Sequence, residues 1–437
     1  MNRRELDRLA RELVEYLDAL LAGMGRVERR AAMRSYVTGL LLDGERKSVE
    51  PMAARLVEPA EVEAMRQRLL GCVAESNWSD EEMFRRLALR FERELPGIEA
   101  LVLDDTGHPK KGEHSVGVQR QYSGTLGRVD NCQVATSLHL AGEGTSACIA
   151  YDLFLPESWA SDAKRRAKTG VPAEIAFRTK WEISLAQIER ALKWGVRKHV
   201  VLGDCGYGDK GEFRSRLTEL GVDYVLGVSG TAKVWSADSN PRVPPREPGA
   251  SGRPTTRYRD EARPPLSMKD LAVDLDYKSV TWRNGSRGKQ RSRFAATRVR
   301  TAHLHHRNEP PGHEQWMLCE WPEGEAAPTK FYLSTLPVDT PLRALVRLAK
   351  LRWRVERDYQ EMKEEVGLDH FEGRSWRGFH HHAALCAVAH GFLAIRRALF
   401  PPEEDEVDAA DGPRGPPTGP GSATRLVSAL QAEGLLA

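Results

Sequence analysis

The sequence predicts an α/β protein: a mixed sheet flanked by helices, preceded by a helical N-terminal domain and interrupted by a β-rich insertion. Three observations predict it. From Glu5 to about Leu95 apolar residues fall at three- and four-residue intervals, the period of an amphipathic helix. At Pro96-Gly97 the texture changes to short apolar or alternating runs, which then alternate with helical stretches. From about residue 231 strand-like pieces dominate, until helical periodicity returns at Leu342.

The stripe Leu6, Leu9, Leu13, Leu17 and Leu20 makes the first helix, and Gly25, Gly44 and Pro51 divide the rest of this region into short helices. Ser79-Asp80-Glu81-Glu82 ahead of Met83 reads as a capped start, because a serine hydroxyl can accept from a free N–H of the first turn. Strands are expected at Ile98–Leu103, Val116–Tyr122, Cys132–Leu140 and Ala147–Leu155, separated by Gly- and Asp-rich turns. A helix at Glu182–Trp194, a strand at His199–Leu202, a helix at Glu212–Leu220 and a strand at Tyr224–Val228 come next. Residues 236–266, rich in Pro, Gly, Ser and Arg, read as a flexible loop. Strands resume at Ser279–Trp282, Arg293–Val299, Trp316–Glu320 and Lys330–Ser334, then helices at Leu342–Lys363 and Phe379–Leu399. The domains expected are 1–95 (helical), 96–230 (sheet, first part), 231–340 (β-rich insertion), 341–400 (second part) and a mostly disordered tail, 401–437, with a short helix at Arg425–Leu436.

A chain of 437 residues has room for two or three domains. A net charge of +3 excludes neither a nucleic-acid binder with grouped basic residues nor an ordinary enzyme. Six scattered cysteines without a CxxC pair argue against a zinc ribbon or disulfide framework and for a reducing cytoplasm. The charged N-terminus has no apolar core behind it, unlike a signal peptide, and no apolar run approaches the ~20 residues of a membrane span.

The chemistry-bearing stretch is Arg352 to Lys363. Read as one helix, it places Arg352, Glu356, Tyr359 and Lys363 on one face, a carboxylate between two cations. Two more acids stand at the ends of strand-like runs, Asp105 after Ile98–Leu103 and Asp204 after His199–Gly203. Three carboxylates from three elements, one flanked by cations, meet the needs of a metal-dependent nuclease acting on a phosphodiester. Taken singly they have plainer readings. Asp104-Asp105-Thr106-Gly107 is a turn signal, Asp209 an N-cap, and Glu356 a solvated helix residue. Gly206-Tyr207-Gly208-Asp209-Lys210-Gly211 also matches a dinucleotide fingerprint. Against it, Asp204 and Asp209 would place negative charge beside a pyrophosphate, and Asp223 precedes the next strand instead of ending it.

Together these residues resemble bacterial insertion-sequence transposases of the DDE superfamily, whose catalytic domain is RNase H-like. Arg352, Glu356 and Lys363 match the subgroup signature Tyr-x2-Arg-x3-Glu-x6-Lys, with Ala349 standing where the tyrosine belongs. In such enzymes the first acid precedes Thr, which selects Asp105 over Asp104, and the second lies in an Asp-x-Gly/Ala-Tyr context, matched by Asp204 to Tyr207. Further likeness lies in Tyr36–Leu41, Gln121–Gly127, Leu155–Trp159, Gly170–Pro172 and Phe177–Lys180, so the resemblance covers roughly residues 25–400. The 152 positions from Asp204 to Glu356 exceed what one strand and one helix need, and a β-rich insertion fills that interval in similar transposases.

The resemblance implies Asp105, Asp204 and Glu356 as catalytic residues holding two Mg²⁺ ions about 3.5–4 Å apart, with Mn²⁺ as a substitute. It implies double-stranded DNA partners, the element's terminal inverted repeats and a target, with a homodimer on DNA in a bacterial, nucleoid-associated cytoplasmic setting. Arg352 and Lys363 are expected to hold DNA phosphates, with Lys180, Lys111 and Lys110 as weaker candidates. Trp282 among Arg283, Arg287, Lys289, Arg291 and Arg293 suits an unpaired base beside phosphates, or else is a core residue of a ribbon. Arg26, Arg29, Arg30, Arg34, Arg46 and Lys47 are expected either to bind element ends or to form a solvated helix face. His380–His382 and the group His303, His305 and His306 raise metal ligation only weakly, since consecutive helical residues point in different directions. The alternative function is a DNA-binding regulator with the same fold and a retired active site.

Overall fold

A computed structural model describes residues 3–399 except 125–126, 247, 250, 254, 286–287 and 303–309. The 401–437 tail, Arg287, and His303, His305 and His306 lie outside the described residues. Two compact units emerge. Among the described residues the first comprises 3–99, 103–197 and 353–399, and the second 100–102 and 198–352.

The first unit opens with α1 (Arg3–Leu21), α2 (Val27–Leu41), α3 (Val49–Leu56), α4 (Val62–Leu70) and α5 (Asp80–Glu94). The predicted stripe is the buried one: Leu9, Leu13, Leu17 and Leu20 all face the core. Ser79 caps α5 as its sequence predicts, its hydroxyl accepting from the Glu82 N–H at 3.0 Å. Of these, α1, α2 and α5 pack on the chain's last described helix, α14 (Trp376–Leu399), which is buried continuously from Gly378 to Ile395. Tyr16 donates to the Val388 carbonyl at 2.9 Å, and the Tyr36 hydroxyl meets His382 Nδ1 at 2.9 Å. Gly391 permits this approach, since a Cβ there would lie 2.3 Å from Phe91 Cζ. Gly391→Ala is therefore expected to cost about 1–3 kcal/mol through overpacking, read as a lower denaturant midpoint at unchanged slope.

The sheet of this unit is built on β3 (Arg128–Ala141), flanked by β1 (Ala100–Pro109) on one side and by β2 (Gln119–Ser123) and β4 (Ser146–Leu153) on the other. β1 runs antiparallel to β3, from Glu99 N to Ala141 O at 3.1 Å to Lys110 N to Asn131 O at 3.0 Å. Asp105 thus stands within a strand, not at its end as expected, because β3 is long enough to pair with β1 beyond it. After α6 (Glu157–Ala160) and α7 (Ala163–Thr169), α8 (Lys180–Trp194) covers one face, and α14 and α13 (Trp353–Glu364) cover the other. Strand alternation separates the faces. Asp152, opposite Thr136, accepts from Gln187 and Arg190 of α8, each at 2.7 Å. Tyr151, opposite Ser137, packs on Phe379 of α14, and Ser137 itself bonds Tyr359 of α13 at 2.6 Å.

In the second unit the first residues of β1 pair in parallel with β5 (Val200–Gly203), and β5 pairs in parallel with β6 (Tyr224–Val228). The short α9 (Cys205–Gly208) and α10 (Gly211–Glu219) link β5 to β6. Antiparallel strands continue through β12 (Lys330–Ser334), β11 (Glu314–Trp321) and β10 (Gly288–Thr301) to β7 (Lys233–Ser236) and β8 (Leu266–Ser267). β9 (Lys278–Gly285) also pairs with β10, and α11 (Met268–Ala272) follows β8. Pairing is antiparallel among β1, β3 and β4 in the first unit and parallel among the first residues of β1, β5 and β6 in the second, so the sheet is mixed and flanked by helices.

Two expectations change. The 236–266 stretch is not all loop, since an Arg242–Arg259 bridge falls within it and β8 begins at its last residue, Leu266. The helix expected over Leu342–Lys363 is two, α12 (Leu342–Leu351) and α13, with Arg352 as the C-cap of α12. The apolar period runs on in sequence, but each half buries its stripe in a different unit: Leu345, Val346, Leu348 and Leu351 in one, Val355, Tyr359 and Met362 in the other. Arg352 and Glu356 therefore do not share a face of one continuous helix.

Among the described residues no helix is long and apolar enough to cross a membrane. The His380–His382 run is packing, not ligation. His381 stacks on Trp78 at 3.7 Å, and His382 bonds Tyr36 and the Gly367 carbonyl. Burial pushes His381 and His382 down to about 4 and His108 well below the usual imidazole range. An unfolded chain protonates these imidazoles below about 6.5 while the folded one does not. Stability is thus expected to fall as pH drops from about 6.5 to about 4, checked by thermal midpoints across that window.

Candidate active site

Buried polar contacts lock α13 to the sheet. Asp358 Oδ2 meets His139 Nδ1 at 2.7 Å, and Ser146 Oγ donates to Asp358 Oδ1 at 2.6 Å. Arg354 Nε donates to the Gly142 carbonyl at 3.2 Å. On the α14 side, Glu361 accepts from Arg397 at 2.6 Å and lies 3.1 Å from His390 Nε2. Burial alone would raise the Glu361 pKa, but bonds to His390 and Arg397 hold it well below the usual carboxylate range. Asp358 and Glu361 are therefore consumed in docking. Glu356, in the first turn, is the exposed acid among these three.

The other end of α13 reaches β1. Lys363 Nζ donates to Thr106 Oγ1 at 2.7 Å and to the Gly107 carbonyl at 3.0 Å. Burial lowers its pKa. Lys363, expected to face phosphates, thus ties helix to strand. Asp105, the acid selected from the sequence, has its Oδ2 2.7 Å from Lys180 Nζ, at the start of α8. Its neighbour Asp104 accepts from the Asp105 N–H through Oδ1 at 2.9 Å. Gly107 lets β2 approach, since a Cβ there would lie 2.1 Å from Ser123 Oγ. Lys110 donates to the Phe371 carbonyl at 2.7 Å, and Lys111 is exposed beyond the strand.

In the second unit Asp204 follows β5 and caps α9, accepting from the Gly206 N–H at 2.8 Å. Asp209 is not the N-cap expected: it closes α9 and accepts from Ser229 N at 2.7 Å, while Lys210 precedes α10. Gly208 of the fingerprint-like loop has a packing reason, because a Cβ there would lie 1.9 Å from the Gly227 carbonyl oxygen of β6. Trp282 is half-buried, edge-on to Phe294 at 5.7 Å, with Lys350 Nζ 4.6 Å from its ring centre. One ring face is therefore covered by a cation of the chain itself.

Among the basic residues near the N-terminus, Lys47 is buried and donates to the Leu40 carbonyl at 3.0 Å, so it is structural. Arg34 pairs with Asp18 and Arg29 donates to Asn77 O, while Arg26 and Arg46 are exposed.

A family profile described as DDE superfamily endonuclease matches residues 19–289. The chain belongs to that family. A protein named probable transposase for insertion sequence element IS701, from Microchaete diplosiphon, is 32% identical over 129 residues, 29% of this chain. The chain spans about a third of that relative, 31% of its length. A cryo-EM structure of piggyBac transposase synaptic complex with hairpin DNA matches 91% of this chain and 80% of its own, at 9% identity and a TM-score of 0.37, a likeness too slight to carry an argument. In this DDE endonuclease the matched segment contains Asp104, Asp105 and Asp204, and α13 lies beyond it.

Membership implies dependence on a divalent metal. Among the described residues no three His, Cys, Asp or Glu side chains form a group that could hold one. The donor chemistry nonetheless fits, because the exposed or half-exposed acids offer hard oxygens and Mg²⁺ typically takes one or two carboxylates, waters and substrate phosphates instead of an all-protein cage.

Proposed function

We propose that this DDE endonuclease is a transposase that cleaves DNA at the ends of an insertion sequence and joins the freed 3′ ends to a target, with two Mg²⁺ ions or Mn²⁺ as cofactor. The observation that carries the proposal is the bridge from Lys363 on α13 to Thr106 on β1, which ties the helix of Glu356 to the strand of Asp104 and Asp105. The proposed ligands are Glu356, Asp204 and a carboxylate of that β1 pair, for which Asp105 is the choice from sequence. A bound divalent metal would activate water or a DNA 3′-hydroxyl and stabilise the leaving oxygen. The chain's own part is positioning: α13 presents Glu356 from a helix whose acids Asp358 and Glu361 are buried, and the capped α9 turn orients Asp204. Lys111, Arg352 and the exposed Arg26 and Arg46 are the proposed phosphate contacts, with a homodimer bringing two active sites to two ends.

Asp204→Ala is expected to retain binding to element-end DNA and to lose Mg²⁺- or Mn²⁺-dependent nicking of it. Retained nicking would remove Asp204 from the site. Wild-type protein that binds such DNA without nicking it would favour the regulator. Removing residues 1–95 is no test of end binding, because it would strip the core of α14; charge reversal at Arg26 and Arg46 is.

A further inference from the structure

We propose that Asp104, not Asp105, is the β1 carboxylate that holds the metal, and that Asp105 is a positioning residue acting through Lys180. The inference rests on the metal-dependent transposase reading and reverses the choice between two adjacent acids, for which the sequence resemblance selects Asp105. Side chains alternate across a strand, so neighbours on β1 serve opposite faces. Thr106 and His108 mark one face. Thr106 bonds Lys363 of α13, and His108 packs edge-on against Phe379 of α14 at 5.6 Å and bonds the Tyr151 hydroxyl at 2.5 Å. Asp105 marks the other face, where α8 supplies Lys180. Asp104, one residue before Asp105 and two before Thr106, returns to the face of Thr106, the face on which α13 carries Glu356.

Charge counts against Asp105. An ammonium 2.7 Å from Asp105 Oδ2 occupies the place a metal would take on that oxygen and opposes a second cation there. Asp104 is oriented differently: its Oδ1 accepts the Asp105 N–H, which pins its carboxylate along the strand. Fixing a metal-binding carboxylate by a second hydrogen bond is the usual way its geometry is set. Asp105 then has a separate task. With Lys180 it forms a half-exposed pair at the head of α8, holding the lysine beside β1.

The test compares the full-length Asp104→Asn, Asp105→Asn and Lys180→Met proteins, each first checked for a wild-type thermal midpoint. Mn²⁺ alone is titrated in, with the free ion followed by electron paramagnetic resonance, and nicking of element-end DNA is measured in parallel. Asp104→Asn is expected to weaken Mn²⁺ binding by at least about tenfold and to lose nicking. Asp105→Asn and Lys180→Met are expected to keep Mn²⁺ binding close to wild type and to slow nicking alike. Asp104→Cys, should Asp104→Asn misfold, is expected to nick with Mn²⁺ but not with Mg²⁺, because a thiolate is a poor ligand for the harder ion. Loss of Mn²⁺ binding in Asp105→Asn with retention in Asp104→Asn overturns the assignment alone. Wild-type protein that neither binds Mn²⁺ nor nicks DNA overturns the functional reading and this inference with it.

Discussion

Glu356→Ala is expected to reduce DNA nicking by about 10³-fold or more, the scale of losing a group that acts mainly in the transition state, while changing stability by no more than about 0.5 kcal/mol. The second half of that expectation is the informative one. Glu356 is exposed on the first turn of α13, where surface ion pairs and the favourable interaction of an acid with the helix N-terminus each contribute little. A side chain with so small a structural role and so large an effect on nicking would be acting on substrate or metal. Parallel nicking assays and thermal melts of the purified variant check both halves. Nicking by Glu356→Ala at the wild-type rate would remove it from the site.

Asp358→Ala, two residues along the same helix, is expected to behave in the opposite way, costing about 3–5 kcal/mol because it leaves a buried histidine without its counter-charge. Burial alone would lower the His139 pKa, but Cys148 and the Asp358 carboxylate reverse that and raise it to about 10. A raised imidazole pKa contributes stability in full below about 6.5 and loses it as pH rises through the folded value. The wild-type protein is therefore expected to lose part of its stability between about pH 6.5 and 10, and Asp358→Ala to lose the share of that slope which the Asp358 carboxylate supplies. Nicking should fall as well, since α13 loses the bonds of Asp358 to β3 and β4. Chemical denaturation at pH 6.5 and pH 10 measures the difference. An Asp358→Ala protein as stable as wild type would show that the pair does not dock the helix.

The contrast between these two acids marks what can be read without a structure. Glu356, Asp358 and Glu361 are all acids of one amphipathic stretch, and in sequence only spacing from Arg352 distinguishes them. That ground is partly unsound, because the helix ends at Arg352 and begins again. Burial makes the distinction instead. Apart from Arg357, one turn before Glu361, the partners of Asp358 and Glu361 come from positions 139, 146, 390 and 397, which no local pattern connects to them. Two of the lysines expected at phosphates, Lys180 and Lys363, are tied to β1 by long-range contacts of the same kind.

Sequence by itself determined the elements and their class. Apolar period, turn residues and the Ser79 cap are local, and a strand such as Tyr224–Val228 appears with the bounds its pattern predicts. It also determined which acids to consider, because Asp-Asp-Thr-Gly, Asp-Cys-Gly-Tyr and Arg-Trp-Arg-Val-Glu are contiguous motifs. Tertiary structure alone decided where β1 ends, where α12 gives way to α13, and which side of the sheet each neighbour of Asp105 faces. Those depend on the length of the partner strand, on the core that receives each apolar stripe, and on strand alternation read against helices far away in sequence. None of these is a property of the residues nearby.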